Sequence, residues 1–219
     1  MRLYSTYPAY ISRSNKIILN SLTIVFAVIS ILFARDESML ILPFTVCTMA
    51  YVAVAGVMDF FQFGGILSKK GNIPESVLCA FKGKELLVKA VTSDRMAHFI
   101  RMFVILIPTL IFADEITPQR IFLTTAALFG SYLALTLMQL VTRLSCVTFQ
   151  ISMLIAYLIM IPLSVIVIIP SVAFMFAEGD LTFFMLIISS AFALIGIGIS
   201  VLHAYLAGKT YVYKLADLH

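Results

Sequence analysis

Long apolar runs separated by short polar intervals make up most of the chain. Each run approaches or exceeds the roughly 18 residues that a helix rising about 1.5 Å per residue needs to cross a lipid hydrocarbon core. The runs lack the alternation of barrel strands, so helices are predicted throughout. Six membrane spans are expected, at residues 17–34, 39–63, 96–113, 121–141, 147–169 and 181–206.

The composition agrees with a lipid environment. Hydrophobic residues make up 62% of the 219 residues and charged residues only 12%, with a mean hydropathy of +1.07. A soluble domain is closer to half apolar and a quarter charged, so a water-soluble globule is excluded and an all-α integral membrane protein is predicted. The net charge of +4 does not indicate a nucleic-acid partner, because the cations lie at the ends of the apolar runs.

The distribution of cations predicts the orientation. Arg35 and Arg120 are the only two of the fifteen Lys and Arg residues that fall on one predicted side of the membrane. The N-terminal segment, the interval 64–95 and the C-terminal tail fall on the other. Because cytoplasmic loops carry the excess of Lys and Arg, both termini and residues 64–95 are expected in the cytoplasm, with the chain spanning the cell (plasma) membrane.

Two stretches outside the regular spans have features of their own. Residues 1–16 mix tyrosines with cations and are expected to lie as an interfacial segment in the lipid headgroup layer. The fifth apolar run is too long for one crossing and contains Pro162 and Pro170. Residues 170–177 are therefore expected to re-enter along the outer face as a broken segment; one long, kinked helix is the alternative.

The basic interval 64–95 predicts two short amphipathic helices. Gly83 separates them, and Glu85 and Lys89 have the i,i+4 spacing of a helical ion pair in the second. Thr92 and Ser93 are capping residues and are expected at the start of the third span. Such helices between two spans suit contact with lipid or with a soluble partner.

A search for catalytic motifs finds no phosphate loop, no HExxH and no GxSxG. No cofactor or metal is expected, and the three cysteines show no ligand spacing. The histidines near the cytoplasmic helix ends are expected to be solvated. Polar residues inside or bordering the spans remain, and they form a possible intramembrane polar site because charge in lipid is costly and tends to be functional. These are Asp59, Gln139 and Gln150.

The interval 64–95 carries a resemblance to a known family. The string Lys84-Glu85-Leu86-Leu87, followed by Val91-Thr92-Ser93-Asp94-Arg95, is similar to the leucine-bearing helix and the turn into span three of type-2 ABC exporter permeases. Val91 stands where that family usually has proline. Six spans, cytoplasmic termini, an interfacial N-terminal segment and a broken fifth span also resemble this family.

The resemblance implies a permease that exports an amphipathic peptide, antibiotic or lipid and is not itself an enzyme. A separate ATP-binding cassette subunit would supply energy, and a second copy or a related permease would complete the pathway. The surface facing the ATPase would comprise Lys82, Lys84, Glu85, Lys89, Ser93, Asp94 and Arg95. The alternatives are a membrane enzyme, such as a peptidase using Cys79 and His98, and a six-span substrate-binding subunit of an energy-coupling importer.

Overall fold

The computed structural model describes residues 13–36, 39–40, 42–63, 75–144, 158 and 182–216. Within these ranges all regular structure is helical, as predicted. A π-helical stretch at Leu42–Cys47 leads into the second α-helix. The α-helices are α1 (Arg13–Leu32), α2 (Thr48–Phe63), α3 (Glu75–Leu78), α4 (Gly83–Leu106), α5 (Pro108–Ile111), α6 (Pro118–Leu144) and α7 (Thr182–Ala216).

The described part of the chain contains four helices long and apolar enough to cross a membrane. They are Ser14–Leu32, Leu42–Asp59, Arg120–Thr142 and Ser190–Ala216. These four correspond to the first, second, fourth and sixth predicted spans. An all-helical protein with this set of helices is compatible with a multi-pass membrane protein.

The remaining predicted elements are either divided between two helices or lie outside the described residues. The third predicted span, 96–113, is helical but divided between α4 and α5, and it is not among the four apolar helices. Pro108 stands at the start of α5, where its missing N–H costs no helical hydrogen bond. The fifth predicted span (apart from Leu158, which is helical), the re-entrant segment 170–177, and residues 1–12 and 64–74 lie outside the described residues.

The predicted break between the basic interval and the third span is wrong. One helix of 24 residues, α4, runs from Gly83 to Leu106, a length of about 36 Å. Thr92 does not cap it: its hydroxyl donates to the carbonyl of Val88 one turn earlier, at 2.8 Å. A threonine satisfied in this way allows the helix to continue. The second predicted amphipathic helix is therefore present, but it is the first part of α4 and is continuous with the third predicted span. Arg13–Lys16 likewise belong to α1 rather than to a separate interfacial segment.

The main apolar core lies where α2, α4 and α6 meet. Fully buried side chains from each helix, including Tyr51, Met102 and Leu135, contact one another there. Helix α1 contributes Leu19 to this core, and Arg101 Nε of α4 donates to Asn20 Oδ1 of α1 at 3.0 Å. The outer faces of α1 and α7 expose many aliphatic side chains. Faces of this kind suit contact with lipid rather than water.

Two sets of contacts define the ends of the bundle. At one, here named the Arg120 end, the Arg120 guanidinium donates to the carbonyls of Ala34 and Glu115. An exposed ion pair between Arg35 Nε and Asp114 Oδ1, 3.4 Å apart, lies in the same pair of loops. These loops therefore share one end, in agreement with the alternation of charged intervals along the chain.

At the other end, here named the Tyr211 end, the C-terminal part of α7 packs on α3 and the start of α4. The Tyr211 hydroxyl donates to the Leu78 carbonyl at 3.1 Å, above a small apolar cluster formed by five side chains. The cluster comprises Leu78, Leu87, Val91, Ala207 and Tyr211. Helices α3, α4 and α7 thus form one packed unit at this end.

Candidate functional site: a buried polar cluster beside a charged helix start

His98 of α4 is the centre of a buried polar cluster. Its Nδ1 lies 2.8 Å from the hydroxyl of Tyr51 on α2. Its Nε2 lies 3.3 Å from Gln139 Nε2 on α6 and 3.4 Å from Asp94 Oδ1, one turn earlier on α4. Three helices therefore converge on one imidazole ring, which is only 2% exposed.

Asp59 joins the cluster through Gln139. The amide Nε2 of Gln139 donates to Asp59 Oδ1 at 3.1 Å, and both side chains are buried. The structure thus brings together two of the three residues in the predicted intramembrane polar site, whereas Gln150 lies outside the described residues. We refer to Tyr51, Asp59, Asp94, His98 and Gln139 as the buried polar cluster.

The cluster is costly to bury. A charged side chain near the middle of a membrane helix costs about 2.5–3.5 kcal/mol on insertion scales, and this cluster contains two carboxyl groups. Hydrogen bonds offset part of that cost only when the network is well satisfied. Gln139 Oε1 is buried and accepts no hydrogen bond from the described residues. The hydrogen bonds of the buried polar cluster therefore offset only part of the cost of burying it.

The geometry around His98 permits two arrangements of the proton. With the proton on Nε2, the ring accepts from the Tyr51 hydroxyl, and Asp94 Oδ1 lies 3.4 Å from the protonated nitrogen. With the proton on Nδ1, it donates to Tyr51 and accepts from Gln139. Which nitrogen carries the proton therefore decides whether His98 donates to Tyr51 or accepts from it.

Arg95 and His203 form a second buried pair. Arg95 Nη2 of α4 lies 2.5 Å from His203 Nδ1 of α7, and the two residues are 3% and 0% exposed. Arginine can only donate, so Nδ1 is the acceptor and the imidazole proton is on Nε2. The pair fastens α4 to α7 on the side of the cluster nearer the Tyr211 end.

Several expectations about exposure are wrong. His98 and His203 are buried rather than solvated. Ser93, Asp94 and Arg95, which were expected on a surface facing an ATPase, are buried as well. The physical reason is the continuity of α4, which carries these positions into the bundle. Their role in coupling stays a prediction, with burial limiting them to an indirect part.

The other members of the predicted coupling surface are accessible. Lys82, Lys84 and Glu85 are exposed at the start of α4, and Lys89 is half-buried. Lys89 Nζ lies 3.9 Å from Glu85 Oε2, so the predicted i,i+4 pair is confirmed. The exposed thiol of Cys79 lies in the turn just before them. These residues form the charged start of α4.

The proposed pairing of Cys79 with His98 is not present in this structure. Both ring nitrogens of His98 are engaged by Tyr51, Asp94 and Gln139, and no hydrogen bond joins the ring to the Cys79 thiol. Nor do the described residues include a group of three or more His, Cys, Asp and Glu side chains able to hold a metal ion.

Tyr51 was missed from the sequence, and His203 was expected to be solvated rather than paired with Arg95. Tyr51 lies in an apolar run with nothing nearby to single it out, while the spacing of Asp94 and His98 at i,i+4 was a usable signal.

Comparison with known proteins does not add to the geometry. No protein-family model matches the chain, and neither a curated protein nor a solved structure does.

Proposed function

We propose that the chain is the membrane permease subunit of an ABC exporter of the type-2 kind. It would move an amphipathic peptide, antibiotic or lipid outward, driven by a separate ATP-binding subunit and working beside a second permease. The observation that carries this proposal is the continuity of α4. One helix joins an exposed, charged surface to a buried polar cluster.

A continuous helix is a means of transmitting displacement. The start of α4 exposes Lys84 and Glu85, and Asp94 follows after about 14 Å of the same helix. Packed helices move as rigid bodies rather than stretching. A partner that pushes on the charged start of α4 would therefore move Asp94 and His98 relative to Tyr51 on α2 and Gln139 on α6.

Helix α7 reinforces this arrangement. The Arg95–His203 pair and the bond from Tyr211 to the Leu78 carbonyl connect α7 to α3 and α4 at two levels. The three helices at the Tyr211 end would then respond together. This end would face the cytoplasm, because it contains the basic residues of the charged start of α4 together with Lys209 and Lys214.

Helix directions support six spans. Tyr132 of α6 lies beside Gly196 and Ser200 of α7, and Leu140 packs on the cluster that contains Ala207. Helices α6 and α7 therefore run parallel, both from the Arg120 end toward the Tyr211 end. Two neighbouring parallel spans are what the six-span topology requires of its fourth and sixth spans, and α4 with α5 would provide the third.

Crosslinking from the native Cys79 tests the proposal. The thiol is exposed beside Lys82, whereas Cys47 is buried. In a Cys146→Ser background, a photoreactive maleimide on Cys79 in native membranes should capture an ATP-binding protein. The double variant Cys79→Ser, Ile116→Cys is the matched control, since Ile116 is exposed near the Arg120 end, and it should capture none. Capture from both positions, or from neither, refutes the assigned coupling surface.

A charge reversal makes the test quantitative. Lys84→Glu should reduce the yield of the ATPase crosslink and the ATPase rate of the purified complex. Arg35→Glu, an exposed cation in the Arg120-end loops, should change neither. Cys79→Ser should leave the ATPase rate unchanged. Catalytic turnover by the purified chain that depends on Cys79 would instead support the membrane-enzyme alternative.

A further inference from the structure

A cavity of about 480 Å³ lies between α4, α6 and α7, apart from the buried polar cluster. Its volume falls within the range of about 300–1,000 Å³ typical of small-molecule sites. Phe99, Phe129 and Ile197 provide much of its apolar wall, and Arg95 lines it at one end. The cavity therefore combines a long apolar interior with one buried cation.

The polar and apolar ends of the cavity are separated along the helices. Arg95, together with Ser93, lies nearer the Tyr211 end, and Phe99 follows one turn deeper. Phe99 meets Phe129 with ring centroids 6.0 Å apart, and meets Tyr132 edge-on at 5.4 Å. A molecule bound there would place a polar head beside Arg95 and an apolar tail along the aromatic rings.

The wall also indicates how a ligand would enter. Met96 is 60% exposed and Ile197 58% exposed, and both line the cavity. Both are apolar, so the opening lies on a face suited to lipid rather than water. A ligand dissolved in the membrane could enter sideways without crossing an aqueous phase.

We propose that this cavity binds a single-chain amphiphile with a carboxylate head, such as a long-chain fatty acid. The head would be held by Arg95, whose planar guanidinium matches carboxylate geometry. The tail would lie between Phe99, Phe129 and Ile197. Binding is a property of the chain alone, so the inference does not depend on the proposed transport function and can fail separately from it.

The absence of tryptophan from the chain gives a clean probe. Phe129→Trp places a single tryptophan in the cavity wall, and the purified chain in nanodiscs is titrated with 9,10-dibromostearate, whose bromines quench it. At a pH where this acid is ionised, quenching should saturate. Half-quenching should need roughly tenfold to a hundredfold less of the acid than of its uncharged methyl ester, the size of one charged hydrogen-bonding contact.

Variants distinguish the site from bulk lipid. In the Phe129→Trp background, Arg95→Gln should remove the preference for the acid, and Arg95→Lys should retain part of it. Ala193→Phe narrows the cavity without touching the cation and should abolish the saturable phase. Leu194→Trp, made in the chain that keeps Phe129, is the control for bulk lipid, because Leu194 lies on α7 but does not line the cavity. Quenching of this tryptophan should rise only with the amount of brominated acid in the bilayer and should not saturate.

Two results would overturn the inference. Equal quenching by acid and ester in the Phe129→Trp chain would show that Arg95 does not select an anionic head. A saturable phase that survives in Ala193→Phe would show that the ligand binds elsewhere. Neither result uses Arg95→Gln, so the test stays decisive even if that variant does not fold.

Discussion

Gly83 is the position at which a single added methyl group should disturb the Tyr211 end most. It is the first residue of α4 and lies against the turn that connects α3 to α4. A Cβ at this position would overlap the carbonyl oxygen of Val77 and lie 2.6 Å from the Tyr211 ring. The first of these obstacles is backbone, which cannot move aside as the end of a flexible side chain can.

The size of the effect follows from two ways of relieving the overlap. Repacking around an added methyl group costs about 1–3 kcal/mol in a well-packed core. Releasing α3 instead would expose Leu78, at about 1.5–3 kcal/mol, and break the bond from Tyr211 to its carbonyl, at about 0.5–1.5 kcal/mol. Because the Val77 oxygen belongs to the backbone, repacking of side chains does not remove the overlap, so release of α3 sets the cost and Gly83→Ala should destabilise the chain by about 2–4.5 kcal/mol.

Gly198 provides a control of opposite sign. It lies within α7, and a Cβ there meets nothing within 4 Å. Alanine is favoured over glycine inside a helix by roughly 0.5–1 kcal/mol, so Gly198→Ala should stabilise the chain slightly. Gly208 is intermediate, because its nearest obstacle is the flexible Lys84 side chain, with Cε at 3.1 Å.

The measurement is reversible unfolding of the purified chain in mixed micelles of rising dodecyl sulfate content, followed by far-ultraviolet circular dichroism. Hydrogen exchange of peptides covering residues 75–91 should rise selectively in Gly83→Ala, because the strain is local. A Gly83→Ala chain at least as stable as wild type, with unchanged exchange in those peptides, would refute the assigned packing of α3 against α4 and α7.

Two further stability predictions use the same titration. Arg120→Met should cost about 1–3 kcal/mol, because it leaves the Ala34 carbonyl, just after the end of α1, without its buried donor. Arg35→Met removes only an exposed ion pair and should cost no more than about 1 kcal/mol. Equal costs for the two variants would contradict the assigned bonds from Arg120 to the Ala34 and Glu115 carbonyls. Tyr132→Phe removes the 2.7 Å bond to Ser200 and should cost about 0.5–1.5 kcal/mol. Adding Ser200→Ala to Tyr132→Phe should lower the free energy of unfolding only slightly further. If the costs of the two single changes add in full, the bond between them is excluded.

The apolar pattern was sufficient for much of the fold. Runs in which nearly every residue prefers lipid predict helices whatever their neighbours are, and four of them match helices of spanning length. The same local reasoning predicted the Glu85–Lys89 pair, which depends only on helical spacing. Interactions that depend on residues three or four apart were accessible before any tertiary contact was known.

The buried site was less accessible because its parts come from distant helices. Gln139 and Asp59 could be nominated singly, but nothing in the sequence shows that His98 and Tyr51 meet them. The break expected at Thr92 and Ser93 failed for a related reason. Both residues are good caps, yet a cap forms only where the helix ends, and packing of α4 against α7 keeps it helical beyond them.

The least apolar long helix is the one on which the proposed function depends. Asp94, Arg95, His98 and Arg101 all lie buried on α4, and α4 is not among the four helices that pass on apolar length alone. Inserting each charged residue costs about 2.5–3.5 kcal/mol without partners, so α4 is unlike α1 in needing its neighbours. Those partners come from Tyr51, Asn20 and His203 on three other helices. The charged and polar residues that lower the hydropathy of α4 are therefore the ones that bond it to the neighbouring helices. A shift of α4 would act on all of these bonds together.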